Sequence, residues 1–328
     1  MSVEAKFLAF LMVGLVIASK LGYSQKLELG FYNETCPLAE RIVRATVAKA
    51  VLHNPGMAAG LIRLHFHDCI VLGCDASILL DKTPQNLDSE KDNFANPLLR
   101  GFEVIDDAKS HLESSCPNTV SCADILAFAA RDSVAIVGQF TYAVPGGRGD
   151  SLVSHGVNVS DNVPFPTSDI RFLKQRFEKH GLSLRDMVAL SGAHSIGVAP
   201  CNAFSERLYF FDDSVNKTDP SLDPKFAAFL KTKCPLDSRL SEITADLDNV
   251  TPNQLDVQFY ENLKRKMGVL SSDQALETDP LTAATVRRYR RNRTVWMRDF
   301  SKSMVKMGKL PVLTRTQGEI RRNCHFKN

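Results

Sequence analysis

Arg63-Leu64-His65-Phe66-His67-Asp68-Cys69 gathers a guanidinium, two imidazoles, a carboxylate and a thiol into one short run. If that run is helical, Arg63 and His67 stand at i and i+4 and project from one face. A neutral imidazole beside a permanent cation suits lifting a proton from one oxygen of a bound peroxide and setting it on the other. The guanidinium would steady the negative charge growing on the leaving oxygen. His65 and His67 also spell H-x-H, a spacing that can hold zinc, copper or iron in a strand. In a helix the two rings sit about 200° apart, since each residue turns the chain ~100°, so joint ligation of one metal is disfavoured.

A second cluster, Leu190-Ser191-Gly192-Ala193-His194-Ser195-Ile196-Gly197, sets His194 among small residues that let something flat and bulky approach. Such a histidine suits the proximal ligand of a haem iron; a satisfied core histidine is the plainer alternative. Two oxygen-rich groups complete the inventory. Asp68, Gly73, Asp75 and Ser77 lie around Cys69 and Cys74, and Asp248, Thr251 and Asp256 lie together later. Calcium takes carboxylates, hydroxyls and carbonyls of this kind, although Asp and Ser also mark ordinary turns.

The elements that must position these groups read as helices. Residues 39–53 carry Ile42, Val43, Val47 and Val51 on one stripe, and 57–69 continue after the Asn54-Pro55-Gly56 break. Ser121 with Asp124, and Ser183 with Asp186, have the spacing of capping boxes. The first opens a run to Val137 and the second precedes Met187 to Leu190. Thr251-Pro252 is expected to open a helix through Lys266, and Leu281 to Met307 to supply two more. Tyr142 to Pro145 is the best short strand candidate. Loops at 81–100, 138–170 and 211–223 are longer than ordinary connections, which points to function or to clamping by ions and disulfides.

Lys6, the apolar run Phe7 to Ala18, and the small residues Gly22 and Ser24 follow the order of a secretory signal peptide. Residues 1–24 are therefore expected to be removed, leaving 25–328 as one domain that begins at Gln25. The 8 cysteines then read as four disulfides, with on the order of a hundred pairings open to sequence alone. Sequons at Asn33, Asn158, Asn216, Asn249 and Asn292 fit export. A net charge of +3 is too mild for a nucleic-acid partner. The cluster Arg287, Arg288, Arg290, Arg291 and Arg293 reads as a solvated helix face, or as a weak attraction to an acidic cell-wall polysaccharide.

Together these segments, with Gly73-Cys74-Asp75-Ala76-Ser77, Ser121-Cys122-Ala123-Asp124 and Ser272-Asp273-Gln274, resemble the secretory plant (class III) haem peroxidases over residues 25–328. The resemblance implies a mainly α fold of about ten or more helices with minimal β, and haem b between distal and proximal halves. It implies the pairs Cys36–Cys116, Cys69–Cys74, Cys122–Cys324 and Cys201–Cys234. His67 would be the distal acid–base group, Arg63 its cationic partner, and Asn96 the residue that orients His67 with support from Glu90. His194 would hold the iron and Asp273 would hydrogen-bond His194. One calcium would take Asp68, Val71, Gly73, Asp75 and Ser77; a second would take Ser195, Asp248, Thr251, Gln254 and Asp256. Phenolic donors would meet the haem edge near Phe94 and Pro164.

Several positions depart from the family pattern, Leu72 and Ile70 among them, which flank Val71 where a polar residue and phenylalanine are commoner. Tyr142 stands where tryptophan is usual, Gly149 replaces an arginine and is expected to loosen a structural ion pair, and the bulky Phe165 is expected to narrow access. The reading is a secreted, monomeric peroxidase that reduces hydrogen peroxide and oxidises phenolics one electron at a time. A haem carrier without turnover, and a non-haem metal enzyme using His65, His67 and Asp68, are the rivals.

Overall fold

Several helices of this chain start where a side chain takes up an amide that the first turn leaves open, at Ser121, Asp169, Ser183, Asp223 and Asn292. The computed structural model describes residues 27–84, 86–96, 98–237 and 243–328. Among them lie thirteen α-helices and one two-stranded sheet. The expected leader, residues 1–24, is outside the described residues. The first half is built from α1 (Ala39–His53), α2 (Met57–Val71), α3 (Phe102–Ser115) and α4 (Cys122–Gly138). The second half holds the short α5 (Val157–Ser160), then α6 (Ile170–Lys179), α7 (Leu184–Ser191), α8 (Ser205–Tyr209) and α9 (Pro224–Lys233). It closes with α10 (Gln258–Lys264), α11 (Ser271–Thr278), α12 (Ala283–Arg291) and α13 (Arg293–Met307).

Two apolar cores meet on two shared helices. Leu61 and Leu64 of α2 face a core with Val43 and Val47 of α1 and with Ile105 and Leu112 of α3. Ile62 and Ile70 of the same helix face a second core with Phe177, Leu190, Tyr260 and Trp296. Helix α4 is divided in the same way, with Leu126 in the first core and Ala130 and Val134 in the second. A helix buried on both sides shows little amphipathic contrast, and any polar group it carries is held in a fixed, desolvated place. Helix α2 is such a platform, with His65, His67 and Asp68 buried along it.

The four disulfides are Cys36–Cys116, Cys69–Cys74, Cys122–Cys324 and Cys201–Cys234, as the resemblance implied. Cys122–Cys324 ties the start of α4 to the C-terminal segment, and Cys201–Cys234 closes the segment that carries α8 and α9. No helix among the described residues is long and apolar enough to cross a membrane.

Several local expectations need correction. Tyr142 to Pro145 is irregular rather than a strand. The chain bends there so that the Gly147 amide and the Arg148 guanidinium reach Asp124, and Arg148 also donates to the Pro145 carbonyl at 2.8 Å. The strands lie instead at β1 (Val198–Pro200) and β2 (Thr244–Asp246), antiparallel with Val198 opposite Asp246. Thr251-Pro252 does not open a helix. The Thr251 amide is spent on the Asp248 carboxylate at 3.1 Å, and helix α10 begins only at Gln258. Ser183 and Asp186 form a reciprocal capping box, but Ser121 caps α4 from one side only. The Asp124 carboxylate is instead engaged by Tyr32, Gly147 and Arg148.

Candidate active site

His67 lies in the desolvated middle of α2, and its Nδ1 is 2.7 Å from Asn96 Oδ1. Asn96 donates its own amide group to the Glu90 carbonyl at 2.6 Å, so its oxygen must be the acceptor toward His67. That fixes the proton on Nδ1 and leaves Nε2 with a free lone pair. Burial and the neighbouring Arg63 push the His67 pKa down to about 3, against the smaller upward pull of Asn96. The ring is thus a neutral proton acceptor. Arg63 donates to the Ala95 carbonyl at 3.3 Å, and burial lowers its pKa only to about 10, so it keeps its charge.

His194 sits on the short 3₁₀ turn Gly192–Ser195 that follows α7. Its Nδ1 is 2.9 and 3.0 Å from the two oxygens of Asp273, on the first turn of α11. Burial disfavours a charge on this ring, but the Asp273 carboxylate outweighs it and raises the pKa. Arg63 opposes that rise as the smallest of these effects. The ring is partly exposed, and only Nδ1 is engaged. A free Nε2 behind a carboxylate-held Nδ1 is a donor set that could hold a haem iron. The glycine two positions before it answers to the protein itself. A Cβ on Gly192 would lie 2.5 Å from Trp296 Nε1 and 2.7 Å from the Tyr260 hydroxyl. Trp296 and Tyr260, which bond the Ala189 and Val188 carbonyls, are a support that sequence reading missed.

The rival use of His65 with His67 fails on geometry. His65 lies against the Cys69–Cys74 disulfide, its Nδ1 3.6 Å from the Cys69 sulfur, while His67 turns to Asn96. His65, Cys69 and Cys74 are close enough to share a metal, but the two sulfurs are joined to each other and offer no thiolate.

The two oxygen-rich groups differ in how well the protein satisfies them. Both carboxylate oxygens of Asp68, the Ser77 hydroxyl and both carboxylate oxygens of Glu90 are buried without a hydrogen bond of normal geometry. Burial, then Asp75 and Glu90 nearby, hold the Asp68 pKa well above its usual value; burial likewise raises that of Asp75. Burial and Asp75 push Glu90 up to about 8. Buried carboxylates without partners call for a cation, and this donor set fits calcium. Gly73 is required in the turn, because a Cβ there would strike the Pro311 carbonyl. In the second group Asp248 accepts from the Val250 and Thr251 amides, and Asp256 accepts from the Gln258 amide. Ser195 accepts from the Asp256 amide at 3.1 Å, which brings its hydroxyl into this group. Gln254 is exposed beside it.

Phe94 and the segment after Pro164 also come together. The rings of Phe94 and Phe165 stack with centroids 6.3 Å apart and 7° between their planes. Gly149 reads differently from expectation. Arg148 keeps its buried ion pair with Asp124 at 2.7 Å, and Gly149 is needed because a Cβ there would lie 2.6 Å from the Thr314 carbonyl. The Tyr142 hydroxyl is buried without a partner, and burial raises its pKa. It lines a cavity of about 10 Å³ with His65 and Arg148.

The peroxidase family model matches residues 43–292. Peroxidase 5 of Vitis vinifera is 48% identical over 304 residues, 92% of each chain. Peroxidase 1 of Zea mays is 46% identical over 309 residues, 92% of this chain and 83% of that one. Peroxidase 39 of Arabidopsis thaliana is 42% identical over 323 residues, 98% of both. The chain belongs to the peroxidase family and is an enzyme of that kind. Within it, the plant relatives mark the class III haem peroxidases as its branch.

Proposed function

We propose that this chain is a secreted peroxidase in which His67 and Arg63 work above a haem b held by His194. The observation that carries this reading is the pair of histidines with opposite partners, neutral Asn96 on His67 and anionic Asp273 on His194. Haem, when bound, supplies the iron that accepts peroxide and the capacity to hold two oxidising equivalents. His67 Nε2 takes the proton from one peroxide oxygen and returns it to the other, which leaves as water. Arg63 stabilises the charge that builds during cleavage. Asn96 holds the His67 ring in the tautomer this needs, and the Glu90 carbonyl holds Asn96. Each turnover consumes one hydrogen peroxide and two phenols, and yields two waters and two phenoxyl radicals.

Donors are proposed to meet the enzyme at Phe94 and Pro164. Asp68, Val71, Gly73, Asp75 and Ser77 are proposed to hold one calcium, and Ser195, Asp248, Thr251, Gln254 and Asp256 a second. Radical coupling in the cell wall, lignification and peroxide removal under oxidative stress suit an exported monomer of this type. The disulfides support export, as does the expected leader. Arg287, Arg288 and Arg291 are exposed with no carboxylate within ion-pair distance among the described residues, whereas Arg290 pairs with Glu261. Those three residues are the ones that would attract an acidic wall polysaccharide.

Replacing His67 by Leu should slow the reaction with peroxide by at least about 10²–10⁴-fold, the usual contribution of general acid–base catalysis. Stopped-flow mixing of the haem-loaded variant with peroxide measures it. A near-normal rate would end the assignment of His67.

A further inference from the structure

Phe165 is the bulky departure at the donor entrance, and the structure shows it as one step of a longer row. Beyond the Phe94–Phe165 stack, Phe172 on α6 lies 6.4 Å from Phe165. One turn further along α6, the Arg176 guanidinium lies 4.6 Å from the Phe172 ring centroid. Phe94 is 68% exposed, and Phe165, Phe172 and Arg176 are half-buried. The row therefore begins in solvent at the expected haem-edge entrance and ends on a cation.

The backbone under this row is fixed. Phe165 donates its amide to the Ser168 hydroxyl at 3.1 Å, and Asp169 caps α6 through the Phe172 amide at 2.8 Å. The Pro166 carbonyl accepts from Ser271 Oγ and from the Ser272 amide, beside Asp273. Arg176 spends one nitrogen on the Ser160 carbonyl at 3.3 Å. No carboxylate lies within ion-pair distance of Arg176 among the described residues, whereas the buried Arg148 and Arg207 both have one. A preformed aromatic surface with an unneutralised guanidinium at its far end complements a flat anion.

We propose that Phe165, Phe172 and Arg176 form a specificity-determining extension of the donor site that favours phenols bearing a carboxylate at the far end of the aromatic frame, the hydroxycinnamate class. This rests on the reading that donors enter at Phe94 and Pro164. Phe165 then provides a platform, and the narrowing expected from its bulk is not its main effect. The charge selects the acid over its neutral analogue, and the two rings bind the frame that both share.

Two donors with one frame test it, 4-hydroxy-3-methoxycinnamate and the corresponding neutral alcohol, in steady state with haem-loaded enzyme. Arg176→Gln should raise KM for the acid about three- to fivefold, the scale of a half-exposed ion pair, and leave kcat and the alcohol's KM unchanged. Arg176→Lys should recover most of the acid preference, and added salt should erode it in the wild type. Phe165→Ala should raise KM for both donors. Equal effects of Arg176→Gln on both donors, or none, would overturn the proposal, as would a Phe165→Ala enzyme with lower KM for both. Phe94→Ala separates this from the reading beneath it. Unchanged KM for both donors there sinks the entrance and its extension together. Raised KM there with an indifferent Arg176→Gln sinks the extension alone.

Discussion

His67 is buried and His194 partly exposed, and their partners drive them in opposite directions. The distal ring bonds a neutral amide and lies beside a guanidinium, and its pKa falls to about 3. The proximal ring bonds a carboxylate, and its pKa rises despite burial. Desolvation alone would leave both neutral; the charge of the partner decides the outcome. His67 therefore stays a free base, whereas His194 keeps an anion behind its Nδ1, as the proposed roles require.

Exchanging the partners is the sharpest way to break this contrast. Asn96→Asp would give His67 a carboxylate partner and favour its imidazolium, which cannot accept a proton. We expect the peroxide reaction at neutral pH to slow by about 100-fold, within the range of lost acid–base catalysis, as read by stopped flow. An unchanged rate would show that the neutral amide is dispensable. Asp273→Asn removes the anion behind His194 and should cost about 10–100-fold in haem retention or activity, as such outer partners do. It should also raise the iron reduction potential, measured by spectroelectrochemistry; an unmoved potential would separate Asp273 from the iron.

The two oxygen-rich groups offer a milder comparison. The first leaves Asp68, Ser77 and Glu90 unsatisfied, whereas the second has backbone amides on Asp248 and Asp256. Chelation should therefore destabilise the distal half more. Asp68→Asn should remove much of the chelator sensitivity of Tm, and Thr251→Ala less of it. The reverse order, seen by calorimetry with and without chelator, would contradict the assignment.

The smallest effect expected belongs to a cap away from both sites. Burial alone would raise the pKa of Asp186, but Lys306, Ser183 and Ser303 pull it down to about 2. The folded pKa lies below the unfolded value of about 3.9, so this stabilisation is present above about pH 4 and fades as pH falls toward 2. With Lys306 half-exposed, the contribution should be less than about 1 kcal/mol. Urea unfolding of Lys306→Gln should show a smaller acid loss than the wild type between those limits.

Local chemistry made part of this legible from sequence. The i, i+4 pair Arg63 and His67, the Ser183–Asp186 box and the stripe of α1 each depend on spacing along one element. The row from Phe172 to Arg176 has the same i, i+4 signal on α6 and could have been found that way. The false helix start at Thr251 and the false strand at Tyr142 share a cause. In both places a carboxylate takes donors that the expected element would have used otherwise: Asp248 from three residues away, Asp124 from a distant helix.

The sequence by itself determined which reactive groups exist, that α2 would present Arg63 and His67 together, and that eight cysteines would pair. Tertiary structure alone decided which partner each histidine receives. Asn96 and Asp273 lie 29 and 79 residues from the rings they bond, so only the folded chain brings each pair together. Away from bulk water a single neighbouring charge shifts an imidazole strongly, so one residue type takes opposite tendencies in the two places.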